Sequence, residues 1–122
     1  MRKKKKLLRV MIESPYAGDV HDNILYLHSC MMDSLNRGEA PFASHGFYTE
    51  VLNDDVQKER ALGIKCGYAW MKAADRVVFY VDKGWSKGMR DAFITASTLG
   101  KDVEMRRISK IENQENLTSF DA

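Results

Sequence analysis

Four short strand-like runs separated by stretches of helical periodicity constrain this chain more than any other feature. "LLRVMIE" at 7–13, "APFAS" at 40–44, "RVVFYV" at 76–81 and "VEMRRI" at 103–108 read as strands, the first closed by Pro15 and Gly18. Between the first two, Val20, Ile24, Leu27, Met31 and Leu35 recur at steps of three and four, predicting a helix from Asp19 to the "NRG" stop at Gly38. A second helix is expected over 56–74, with Leu62, Cys66, Ala69 and Ala73 on its inner face, and a third over 88–99, with Met89, Phe93 and Ala96 inward. The order βαβαβαβ implies an α/β domain: a parallel sheet of four to five strands with helices on both faces, because right-handed crossovers leave few other solutions. In such sheets ligands bind beyond the carboxyl ends of the strands, where the winding direction switches.

The 122 residues suffice for one core and one domain. Three segments are expected: a basic tail at 1–6, the folded domain at 7–108, and a polar tail or subunit-contact segment at 109–122. The 19 basic and 17 acidic residues give a net charge of +2, but Arg2 and Lys3, Lys4, Lys5 and Lys6 hold five of the positives. The other 14 against 17 leave −3, so the body is mildly acidic and nucleic acid is not an expected partner. "LLRVMI" is too short for a secretory core and contains Arg9, and no run is long enough to span a membrane. Cys30 and Cys66 lack metal-ligand spacing and read as buried free thiols, which suits a reducing cytoplasm; no metal or organic cofactor is implied.

The loops at the strand carboxyl ends, "SPYAGD", "SHGFYTEV" and "DKGWSKG", are where chemistry is expected. Ser86 offers a hydroxyl, Gly88 permits close backbone approach, and the helix that follows has free amides; together they suit an anion, although Ser86 reads equally well as a plain N-cap. Tyr16 is either a donor to a carboxylate or sugar or a packed turn residue. Gly18 allows a tight turn, and Asp19 caps a helix. His45 can contact phosphate or base, but surface histidines are mostly idle. Gly63 and Gly67 permit close approach of backbone or ligand, packing being the commoner use.

The sequence of motifs "SPYAGD…N", "PFASH", "GYAWMKAADRVVFYVD", "SKGM" and "STLGKDVEMRRI" resembles the nucleoside 2-deoxyribosyltransferase-like superfamily over roughly residues 7–108, closest to its small bacterial and phage branch. The resemblance implies a single flavodoxin- or Rossmann-like domain and cleavage of the base–sugar bond of a nucleoside or (deoxy)nucleoside 5′-monophosphate. A Glu on the third helix would attack or stabilise the anomeric carbon. Tyr16 matches the tyrosine that orients that Glu, Ser86 a phosphate-binding Ser, and His45 a substrate-loop histidine. Gly88 and Met89 join the phosphate site; Pro15, Gly18, Asp19 and Asn23 are weaker candidates. Ala92 occupies the expected Glu position, and Asp91 points about 100° away around the helix. Gly67 stands where a base-contacting Asp is expected. Two readings follow: an N-glycosidase inactivated at position 92, or a non-catalytic protein that sequesters a nucleotide, as a phage counter-defence would. The resemblance also implies a homodimer or larger homo-oligomer in the cytoplasm, the host's if the chain is phage-encoded.

Overall fold

The computed structural model describes residues 6–108. The 109–122 segment and all but Lys6 of the basic tail lie outside the described residues.

Four strands and three helices alternate: β1 (Arg9–Glu13), α1 (Val20–Asn36), β2 (Ala40–Phe42), α2 (Gln57–Ala73), β3 (Arg76–Tyr80), α3 (Lys87–Thr98) and β4 (Asp102–Arg106). The expected second strand is cut short at Phe42, and two single-turn 3₁₀ helices, Ser44–Gly46 and Tyr48–Glu50, follow it. The strands form one sheet in the order β2-β1-β3-β4, every pair parallel. From β1 the chain steps outward to β2 and then crosses back to β3. The switch in winding direction therefore falls between the carboxyl ends of β1 and β3.

Both central strands are covered on both faces, which is why they read as continuous apolar runs rather than alternating ones. Val10, Ile12, Val78 and Tyr80 pack with Leu27 and Cys30 of α1. Met11, Val77 and Phe79 face the other way, against Met71 of α2 and Met89, Ala92 and Ala96 of α3. Each fully buried side chain of this size contributes about 1.5–3 kcal/mol. At the edge, buried Arg106 holds Glu39 at 2.7 Å, Glu104 at 2.8 Å and the Tyr80 hydroxyl at 3.0 Å, tying β4 to β3 and to the end of α1.

The helices are where expected, but their inner faces are rotated. α1 buries Asn23, Leu27, Cys30 and Ser34, leaving Val20 and Leu35 exposed. Polar side chains can replace apolar ones here because each is satisfied: Ser34 Oγ donates to Glu39 at 2.7 Å, and the Asn23 amide donates to the Tyr16 and Ala17 carbonyls at 3.0 Å. On α2 the inner face runs through Gly67 and Met71, while Leu62, Ala69 and Ala73 are exposed and Cys66 is half-buried. Gly67 serves packing: a Cβ there would lie 2.6 Å from Ser44 Oγ and 3.1 Å from Ser44 Cβ. α3 turns Met89, Ala92 and Ala96 inward. Phe93 is instead partly exposed, its ring edge against Phe79 and Trp85 at 5.7 and 5.8 Å. Among the described residues no helix is long and apolar enough to cross a membrane.

Candidate functional site

A cavity of about 240 Å³ opens at the switch point. Its floor is the end of β1, Glu13 and Ser14; one wall is the first turns of α3, and the other is formed by the 3₁₀ segment and α2. The chain is built this way because "SPYAG" and "DKGWS" turn away from adjacent strand ends, leaving an opening above the sheet.

The α3 wall carries positive character. Ser86 is the N-cap, its Oγ accepting the Met89 N–H at 3.2 Å, and the hydroxyl hydrogen remains available to a ligand. The Lys87 and Gly88 amides belong to the first turn, which has no intrahelical acceptors, and the aligned peptide dipoles add to their pull on an anion. Apart from its chain neighbours and the backbone of its own helix, the nearest described atom to the position of a Gly88 Cβ is Ser86 Oγ at 4.0 Å, so the backbone can be approached there.

Across the floor, the Glu13 carboxyl is half-buried and has no hydrogen-bond partner among the described residues; burial pushes its pKa up to about 8. His45 Nε2 lies 2.9 Å from Ser14 Oγ, while Nδ1 is buried without a partner. Burial pushes the imidazole down to about 4, so it is neutral at physiological pH. Other charged groups on the walls answer one another: Lys87 with Asp91 at 2.9 Å, Arg60 with Asp54 at 2.8 Å, and Glu59 with the Asn53 amide at 2.7 Å.

Seven of the residues expected from the sequence line this cavity: Tyr16, His45, Ser86, Gly88, Met89, Asp91 and Ala92. Ala92, 2% exposed, belongs at once to the cavity wall and to the core. Asp91 reaches the cavity too, although its carboxylate is held in an exposed pair with Lys87. Four expected residues lie outside it. Pro15 is buried between Ser14 and Tyr16 without lining it. Gly18, at φ +100°, lines an adjoining hollow with Val20, Asn53 and Asp55, which shares Tyr16, Ala17 and Thr49 with the cavity. Asp19 is committed to capping α1 through the Asp22 N–H at 3.1 Å. Asn23 has its amide hydrogens on the Tyr16 and Ala17 carbonyls and its Oδ1 on Lys83 at 3.1 Å, so it shapes the β1–α1 loop and reaches no ligand.

Glu13 and Tyr68 line the cavity without having been expected there, and Ser14 and Ser44 come from expected loops without having been singled out. A signal for Glu13 was present in the sequence: a carboxylate directly after the apolar run Val10–Ile12, at the end of the strand where ligands bind in such sheets.

A family model described as a domain of unknown function, DUF7768, matches residues 8–106. No curated protein matches the chain.

Proposed function

We propose that this chain, which belongs to the DUF7768 family, binds a nucleoside 5′-monophosphate, with the deoxy sugar preferred, and cleaves its base–sugar bond. The observation that carries the reading is the opening of the α3 amino end, with Ser86 as its cap, onto the same cavity as Tyr16 and His45. A phosphate on the Ser86 hydroxyl and the Lys87 and Gly88 amides would receive charge-assisted hydrogen bonds, leaving the sugar above the end of β1 and the base toward the α2 wall. The motif order that resembles the nucleoside 2-deoxyribosyltransferase-like superfamily supports the same substrate class. A cytoplasmic homo-oligomer completes the proposal. It is supported by the two unpaired cysteines and by exposed Phe47, Val51, Leu62 and Trp70 around α2 and the β2 edge.

A second reading, nucleotide sequestration without chemistry, is favoured by one observation: residue 92 faces the cavity as a methyl group. Calorimetric titration with matched nucleosides and nucleoside 5′-monophosphates tests the binding that both readings share. Charge-assisted hydrogen bonds of about 1.5–3 kcal/mol predict that monophosphates bind roughly 10- to 100-fold more tightly than nucleosides. Equal affinity for the two, or none for either, refutes the phosphate site.

A further inference from the structure

Position 92 offers no carboxyl, yet four carboxyls line the cavity: Asp91 is held by Lys87, Asp54 by Arg60 and Glu59 by the Asn53 backbone N–H, which leaves Glu13. Glu13 follows Met11 on the same face of β1, and Met11 shares a buried cluster with Phe79, Met89 and Ala92. Glu13 is thus the next side chain toward the carboxyl end on the face that α2 and α3 cover, and it lines the cavity together with Ala92. The strand thus brings a carboxyl to the cavity that residue 92 of the helix lines without one.

A structural carboxylate would have partners. Glu39 and Glu104 are both held by Arg106, and Asp75 by Arg9, whereas no described group answers Glu13. Leaving a carboxyl unpaired in a partly desolvated cavity weakens the fold, and such groups collect at functional sites.

We propose that Glu13 is the catalytic acid–base of glycosidic cleavage, supplying from β1 the carboxyl that α3 lacks; this rests on the nucleotide reading above. In the first step the Glu13 carboxyl donates its proton to the base as the C1′–N bond breaks, the bonding pair leaving with the base. The sugar is left as an oxocarbenium ion. Water then adds its oxygen to C1′ and gives a proton to the Glu13 carboxylate, which restores the acid. The products are the free base and the sugar phosphate, and the net reactant besides nucleotide is one water. Burial raises the carboxyl above the ordinary carboxylate range, so it holds a proton to give at a pH where a solvated carboxyl would already have lost it. The cations that share the cavity do not oppose this, since Lys87 is held by Asp91 and Arg60 by Asp54. His45 is neutral.

The experiment uses the full chain and eight probes, the four common ribonucleoside and four 2′-deoxynucleoside 5′-monophosphates. Free-base release is followed chromatographically and binding by calorimetry, for the wild type and Glu13→Gln. The expected result is base release from at least one monophosphate by the wild type, and a fall of about 100-fold or more in kcat for Glu13→Gln with affinity little changed. A thermal melt checks folding; if Glu13→Gln does not fold, Glu13→Ala reads the same rates. Unchanged kcat in the variant overturns the role of Glu13 while the nucleotide reading stands. Binding without base release by the wild type overturns it too and leaves sequestration. Failure of every monophosphate to bind overturns both.

Discussion

Replacing Glu13 by Gln should stabilise the protein, and by an amount that grows with pH. The folded-state pKa of about 8 lies above the ordinary 4.5, so the native state binds the proton more tightly than the unfolded chain does. No penalty exists below pH 4.5. Between 4.5 and 8 the native state loses stability at up to about 1.36 kcal/mol per pH unit, and above 8 the loss is complete. The full shift corresponds to roughly 4–5 kcal/mol. Because the carboxyl is only half-buried in an open cavity, water screens part of this, and about 2 kcal/mol is expected at pH 8.5. Gln has the same shape and no charge to desolvate. Urea unfolding of the wild type and Glu13→Gln at pH 4.5, 6, 7.5 and 8.5 reads the difference directly. His45, held well below its ordinary value, weakens the fold as pH falls from 6.5 toward 4, but it does so in both proteins and cancels. A difference that stays flat across this range, or a Gln variant less stable at pH 8.5, would refute the desolvated, unpaired carboxyl.

Three further outcomes follow from the same geometry. Ser86→Asp keeps an N-cap acceptor for Met89 but sets a negative charge at the phosphate position; monophosphate affinity should fall by about tenfold or more while nucleoside affinity holds, as titration calorimetry would show. Arg106→Gln leaves Glu39 and Glu104 without their buried cation and should cost about 3–5 kcal/mol in chemical denaturation, with the cavity unaltered. The His45 ring protons should show no titration between pH 5 and 8 in NMR spectra, whereas a midpoint near 6.5 would mean the ring is solvated.

The alternation of strands and helices and the end of the sheet that carries the cavity were legible because they depend on patterns several residues long. β-branched runs, helical spacing and chain reversals combine to leave one economical topology, and that topology dictates where an opening forms. Helix phase was less legible. Apolarity alone placed Val20 and Leu35 inside α1, but Asn23 and Ser34 occupy that face because hydrogen bonds to the β1–α1 loop and to Glu39 make their burial tolerable. Sequence could not reveal those partners. Gly67 illustrates the same limit: its use depends on Ser44, 23 positions away in the chain, lying where a side chain would go. Ser86 was readable as a cap from its place before a helix. Glu13 was passed over as the polar end of a strand, since only the three-dimensional arrangement shows that its carboxyl meets no cation and opens into the cavity beside Ala92.

The most direct test is a crystal structure of the chain with the tightest-binding nucleoside 5′-monophosphate. The account predicts phosphate oxygens within hydrogen-bond distance of the Ser86 hydroxyl and the Gly88 amide, with C1′ over the end of β1 and the Glu13 carboxyl toward the glycosidic nitrogen or the base. A nucleotide seated with its phosphate away from the amino end of α3, or bound outside this cavity altogether, would contradict it.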